Sequence, residues 1–346
     1  MKNSIQLQQR HRGSNTPGEP QHGFTLIELG VVLGTLAVLA LLLAPALAGT
    51  RMESWRLQCQ NNLRQLQVGI QLFTQDHGDM FPAAGYSTSG GGGQVSWDSW
   101  IYNYVSGGQS VTVNQVKNGI YAQNPSDAAM LGLAPGLPVM ACPVDATLPK
   151  VSWMHTDPGN VGSPLRYAIK SYEMNSVGTT YATEIQVDPQ NGKYPLPDLN
   201  QPIRHGVGIY WYATSGSVDW DAKGYKTSVV KDAAGTILLA ELASNQNVEG
   251  NIWPCVSAGP WCSASTWSPL YQTDVAAPTG ANALFTGGTY SEGLLLYPAH
   301  GYRFNYLFHD GHVAALRMED TVGKASGPPA LKLTYPLGMW TVKPND

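Results

Sequence analysis

Residues 24–48 read FTLIELGVVLGTLAVLALLLAPALA, a run of 25 residues with one charge, Glu28. That length spans the hydrocarbon core of a bilayer as a helix, which takes roughly 20 apolar residues. The 23 residues before it are polar, carry Lys2, Arg10 and Arg12, and end at Gly23. A secretory signal has a shorter apolar core and is cut after it, whereas here the candidate cut, Gly23 followed by Phe24, precedes the run. Basic residues ahead of a span hold that end in the cytoplasm. The expectation is a single-pass, N-in chain whose bulk lies outside the cytoplasmic membrane.

A carboxylate five residues into such a span is costly unless neutralised, and intramembrane charges are functional by default. Cleavage after Gly23 gives Phe24 a new α-amino group near Glu28. In a bundle of parallel helices, Glu28 of one copy can pair with the terminal ammonium of the next. A copy out of step leaves both charges unpaired, so the pair sets register.

Gly23-Phe24-Thr25-Leu26-Ile27-Glu28-Leu29 resembles the cleavage and methylation signal of type IV pilins and type II secretion pseudopilins. Pro45 is similar to the proline that bends the pilin helix. A second set of residues resembles a pilin-like family of planctomycete and verrucomicrobial bacteria. Its His-x9-Asp-Gly signature matches His300, Asp310 and Gly311. Further matches are Cys59-Gln60-Asn61-Asn62, Cys142-Pro143-x-Asp145, Ser171-Tyr172-x-Met174-Asn175 and Leu-Leu-Ala-Glu241. The resemblance implies cleavage at Gly23 by a prepilin peptidase/methylase, methylation of Phe24, and assembly through Phe24, Glu28 and Pro45. The implied partners are other pilin-like subunits, met through the N-terminal helix, and an inner-membrane assembly platform. The expected product is a type IV pilus-like or type II secretion-like filament in a bacterial inner membrane, with the globular domain periplasmic or on the cell surface.

Beyond residue 48 the pattern turns amphipathic. Met52, Trp55, Cys59, Leu63, Leu66, Ile70 and Phe73 follow three- and four-residue steps, one helical stripe, and Gly78 and Pro82 stop it. After that, short runs recur at Trp100–Val105, Leu165–Tyr172, Gly208–Tyr212, Thr236–Leu239, Gly293–Leu296, Phe304–Phe308 and Val313–Leu316. Turn residues separate them, which favours antiparallel strands joined by long loops. The last two runs predict a β-hairpin through His309-Asp310-Gly311. The fold class is α+β: a long N-terminal pilin-type helix, transmembrane half then amphipathic half, packed on an antiparallel β-rich domain. The expected divisions are a cleaved leader (1–23), an assembly helix (24–48), its amphipathic continuation (49–78) and a globular domain (79–346).

Charged residues make up only 13% of the chain, with 38 Gly and 24 Pro, which suits a loop-rich domain outside the cytoplasm. A net charge of -4 without a basic stripe gives nucleic acid nothing to bind. The Gly-rich loop at 89–93 lacks a following Lys-Ser/Thr, so it is no phosphate cradle.

Four cysteines without a Cys-x-x-Cys pair argue against a zinc finger or a thioredoxin-like motif. Cys255 and Cys262 bracket a loop that a disulfide can close. Cys59 and Cys142 then stand open between a second disulfide and two buried thiols. His300, His309 and His312 sit close in sequence and are candidate ligands for a transition metal. Against this, separated histidines usually serve turns and neighbouring loops. Calcium-binding pseudopilins make Asp145, Asp157 and Glu241 candidate calcium ligands, although no EF-hand spacing is present. No Gly-x-Ser-x-Gly elbow supports a hydrolase, and the reading is a structural subunit without catalytic residues or an obligatory cofactor. The alternative is a membrane-anchored ligand-, glycan- or metal-binding domain that forms no filament. Its glycan version would need Trp97, Trp100, Trp211, Trp220, Trp253, Trp261 and Trp267 on the surface.

Overall fold

The computed structural model describes residues 25–88, 94–108, 111–116, 121–122, 126, 128–129, 132–143, 145, 167–175, 185–187, 206–213, 216–241, 248–250, 256–257, 300, 303–321 and 338–342. Gly23, Phe24, Asp157, Cys255, Cys262, Trp253, Trp261, Trp267 and the run Gly293–Leu296 lie outside the described residues. The chain divides into two compact units, Met1–Thr50 and Arg51–Asp346.

Helix α1 (Leu26–Asp76) runs without interruption for 51 residues. It opens with a reciprocal cap. The Thr25 backbone N–H donates to Glu28 Oε2 at 2.8 Å, and the Glu28 N–H donates to Thr25 Oγ1 at 3.2 Å. This is the Thr-x-x-Glu capping box, which satisfies orphan donors of the first turn. Glu28 therefore has a partner inside its own helix, beyond the one that the sequence suggested. The helix closes with the Asp79 N–H donating to Thr74 O (2.9 Å), across Gly78 at φ 65°. That is a Schellman end, which glycine accepts because it has no Cβ.

In the first unit, Leu26, Ile27, Val31, Leu33, Leu36, Leu39, Leu41 and Leu42 of α1 are all exposed. Side chains 43–48, Pro45 included, lie outside the described residues. Among the described residues, no helix is long and apolar enough to cross a membrane. In the second unit the helix behaves as its stripe predicts. Cys59, Leu63, Leu66, Ile70 and Phe73 are buried, while Met52, where the stripe begins, is exposed.

Eleven strands are described: β1 (Met80–Pro82), β2 (Gly85–Thr88), β3 (Gln94–Ser96), β4 (Tyr172–Asn175), β5 (Ile185–Val187), β6 (Tyr210–Ala213), β7 (Lys223–Lys226), β8 (Ile237–Glu241), β9 (Val256–Ser257), β10 (Phe304–Phe308) and β11 (Val313–Leu316). They form a five-stranded sheet in the order β11-β10-β8-β4-β9, a four-stranded sheet β3-β2-β6-β5, and the pair β1-β7. The mixed α+β class holds, and most pairs are antiparallel. The expectation of wholly antiparallel pairing needs correction, because β2-β6, β5-β6 and β4-β9 are parallel. Parallel neighbours need long crossovers, and intervals such as 89–209 between β2 and β6 supply them.

The predicted hairpin is present. Strands β10 and β11 pair from Phe304↔Leu316 to Leu307↔Val313, and Gly311 takes φ 93° at the turn. The strand expected at Trp100–Val105 is instead helix α2 (Trp97–Val105). Trp97, Ile101 and Tyr102 are buried on it, so its aromatic density reflects a core-facing helix. Trp100 and Trp211 are buried as well, and Trp220 packs against Trp100 at 5.7 Å. Trp97, Trp100 and Trp211 thus belong to the core, and Trp220 is half-buried against it, so these four tryptophans are not the exposed set that glycan binding would need.

Helix α2 crosses α1 at Gly69, where an added Cβ would lie 2.2 Å from Val105 Cγ1. Gly69→Ala is expected to destabilise the domain by about 1 kcal/mol net. The overpacking cost of about 1–3 kcal/mol outweighs the better helix propensity. Thermal melts of the two proteins check this, and equal or higher stability of the alanine variant would refute the close approach.

Candidate functional site: a buried cysteine, histidine and glutamate centre

Four of the sequence matches converge on one buried point. Cys59 faces inward from α1. Cys142 follows a single 3-10 turn, Pro138–Met140. Glu241 ends β8, and His300 precedes β10. All four are buried, and their ligand atoms lie within 4.8 Å of one another. Among the described residues no other group of three or more metal-ligating side chains comes together.

The second layer explains the remaining motif residues. The Asn62 amide of α1 donates to Ala141 O (3.0 Å) and to the Tyr172 hydroxyl (3.2 Å), tying the helix to the Cys142 loop and to β4. The Cys142 N–H donates to Ser171 Oγ at 2.8 Å, and that hydroxyl donates to Asp145 Oδ2 at 2.6 Å. Asp145 thus orients the loop that carries the cysteine. Among the described residues, the one group of three or more close metal-ligating side chains does not include Asp145, so the calcium site considered above is not assembled there.

Glu241 is held by Asn305 through both its backbone N–H (2.7 Å) and its side-chain amide (2.8 Å). The Asn305 side-chain oxygen accepts from Gln60 Nε2 at 3.0 Å. Glu241 Oε2 in turn meets His300 Nδ1 at 3.0 Å. The opposite ring nitrogen, Nε2, points at the sulfurs, 3.6 Å from Cys142 and 3.8 Å from Cys59. Cys59 and Cys142 are both free, with sulfurs 2.8 Å apart. The structure thus brings together the pair that the sequence left open, without joining it.

Electrostatics follow from this chain of contacts. Burial disfavours a charge on His300, but Glu241 and the hydrogen bonds to Glu241 and Cys142 win, and the imidazole is pushed up to about 10. Hydrogen bonding to Cys142, together with burial, holds Cys59 as a thiol. Burial pushes Cys142 up, yet the hydrogen bonds from Cys59 and His300 outweigh it and lower it below the usual thiol value. The arrangement is two sulfurs beside an imidazole that a glutamate side chain holds from behind. Chemically it can form a disulfide or bind a thiophilic cation. Every member is buried.

The histidine trio of the sequence reading does not assemble. His309, at the hairpin turn, is half-buried with its ring against Phe81, centroids 5.0 Å apart. His312 is exposed, bonds Asp310 Oδ1 at 2.6 Å and stacks on Phe308 at 4.2 Å. Sequence proximity brought the three together, but the turn sends each to a different neighbour. Asp310 and Gly311 serve the turn itself: Asp310 accepts the His312 N–H at 3.0 Å.

The family model described as a protein of unknown function (DUF1559) matches residues 51–321, well over half of the chain. The chain belongs to the DUF1559 family. All four residues of the centre fall inside the matched span, which is consistent with the pilin-like resemblance noted from the sequence. The match starts beyond Gly23 and Phe24 and so does not reach the expected cleavage signal. No curated protein and no solved structure matches this DUF1559 chain.

Sequence reasoning noticed Glu241 but gave it a calcium-ligand role, and it missed Asn305. A lone carboxylate ending the apolar strand Ile237–Glu241 was the available signal, since such a residue needs a buried partner.

Proposed function

We propose that the chain is a pilin-like structural subunit, cut between Gly23 and Phe24 by a prepilin peptidase, methylated on Phe24, and assembled through α1 into a filament. The observation that supports this is the apolar half of α1: Leu26 is 88% exposed, Ile27 79% and Leu41 76%. One carboxylate, Glu28, sits among them at the N-terminal cap. A row of uncovered leucine and valine needs lipid before assembly and neighbouring helices after it. The same helix continues as a core element of the second unit, so a bundle of such helices would display one globular domain per copy. The reading places the protein in a bacterial inner membrane with its N-terminus in the cytoplasm. Its partners are the peptidase, an assembly platform and other pilin-like subunits, with no catalytic role.

Intact mass and N-terminal sequencing of the protein from its own membranes test the reading. A chain that begins at methylated Phe24 is expected. One that begins at Met1, or that is cut after Ala48, overturns it. Glu28→Leu should leave cleavage intact while lowering the sedimentable filament fraction by about tenfold or more, the effect of losing about 1.4 kcal/mol per contact. Correct processing with no filament in the unsubstituted protein would favour the anchored, non-assembling alternative.

A further inference from the structure

We propose that Cys59, Cys142 and His300 bind a thiophilic tetrahedral cation of the zinc class, with Glu241 as the residue that positions His300. The proposal stands on the buried centre alone and is independent of processing or assembly.

Ligand type is the first argument. Two thiols and one imidazole make the sulfur- and nitrogen-rich set that zinc-like ions prefer over the oxygen ligands of calcium or magnesium. Geometry is the second. Zinc sits about 2.3 Å from sulfur and about 2.0 Å from imidazole nitrogen, so a tetrahedral site needs nitrogen and sulfur about 3.6 Å apart. The two observed separations are 3.6 and 3.8 Å. The third edge, between the sulfurs, is 2.8 Å, and a tetrahedral ion needs about 3.8 Å. Opening it takes about 1 Å of movement. Cys142 can supply it, because it lies on a loop after a single 3-10 turn, whereas Cys59 is fixed in α1.

The third argument is the support behind the histidine. Gln60 holds Asn305, Asn305 holds both oxygens of Glu241, and Glu241 holds Nδ1. This chain fixes the ring so that Nε2 faces the two sulfurs. A carboxylate behind a metal-ligating histidine is the usual way of fixing its tautomer and orientation. A disulfide between Cys59 and Cys142 would have no need of such a chain. With both oxygens so engaged, Glu241 is a positioning residue, and the fourth coordination place falls to a solvent oxygen.

The test uses the full chain, purified in detergent without added reductant or chelator. Elemental analysis should find one zinc per chain. Peptide mapping after alkylation should show Cys59 and Cys142 protected until a chelator is added. Cobalt(II), added to the stripped protein, should give the intense thiolate charge-transfer absorption of a tetrahedral site. His300→Ala should weaken zinc binding by about 100-fold or more. Glu241→Gln should weaken it about 10- to 100-fold while keeping the cobalt spectrum, as expected of a residue that acts through a ligand. His312→Ala should change nothing. The mapping is done on unsubstituted protein, so it decides the matter even if a variant fails to fold. A chain without zinc whose Cys59 and Cys142 peptides are covalently linked would overturn the proposal in favour of a disulfide staple. So would zinc whose removal leaves the reactivity of both cysteines unchanged.

Discussion

Replacing Lys170 with alanine is expected to cost the globular domain about 3–5 kcal/mol, the usual penalty for removing one partner of a buried ion pair. Lys170 is fully buried, and its ammonium lies 2.5 Å from Asp98 Oδ1 and 2.5 Å from Ser96 Oγ. The other Asp98 oxygen accepts the Gly250 N–H at 2.6 Å. Glu249, also buried, accepts the Leu137 N–H at 2.8 Å. Burial first, and the Asp98 charge second, push Glu249 well above the carboxylate range. The cluster therefore packs Lys170 and Asp98 together beside a glutamate whose anionic form burial disfavours. Without Lys170 the Asp98 charge keeps only hydrogen-bond donors, in a place where water cannot replace the lost cation. Urea unfolding followed by tryptophan fluorescence reads the loss. Replacing Lys170 and Asp98 together by apolar residues of similar volume should recover much of it, because the desolvation cost then disappears with the charges. A single-variant loss under about 1 kcal/mol would show that the pair is solvated in solution.

That cluster also marks where sequence reading ends. Local patterns were legible. The stripe from Cys59 to Phe73 predicted the buried face of α1, Gly78 predicted its end, and Asp310-Gly311 predicted the hairpin turn. Each is set by contacts within a few residues, where periodicity and turn chemistry operate. Lys170, Asp98 and Glu249 are joined across loops of 70 residues and more, and nothing local announces a pairing of that kind. The buried centre lies between these extremes. Cys59, Cys142, Glu241 and His300 each belonged to a recognised motif, but spacing alone could not say which would meet. His300, His309 and His312 were grouped because they are near in sequence, and the fold separated them. Trp100–Val105 was read as a strand because aromatic residues favour strands, while tertiary packing made it the inner face of a helix.

The same hairpin turn that breaks up the histidine trio gives the domain a dependence on pH. His309 is half-buried beside Phe81, but both of its ring nitrogens are shielded from solvent and neither has a hydrogen-bond partner among the described residues. Burial holds it down at about 3, against a partial upward pull from Asp310. An unfolded histidine titrates near 6.5. The folded value lies below the unfolded one, so above about pH 6.5 both states are neutral and His309 contributes nothing to pH dependence. As pH falls below that point the unfolded chain takes up a proton that the native site refuses, and stability drops. The slope approaches 1.4 kcal/mol per pH unit until about pH 3, which amounts to about 2–3 kcal/mol at about pH 4.5. His309→Phe removes the titrating group and keeps an aromatic ring against Phe81. The stability difference between the variant and the unsubstituted protein, from urea midpoints, should therefore grow in the variant's favour by about 2–3 kcal/mol between about pH 7.5 and about pH 4.5. Groups common to both proteins cancel in that difference, including Asp310 and His312 in the adjoining turn. A difference that stays constant across the window would mean that His309 accepts its proton while folded, and that the turn opens to water in acid.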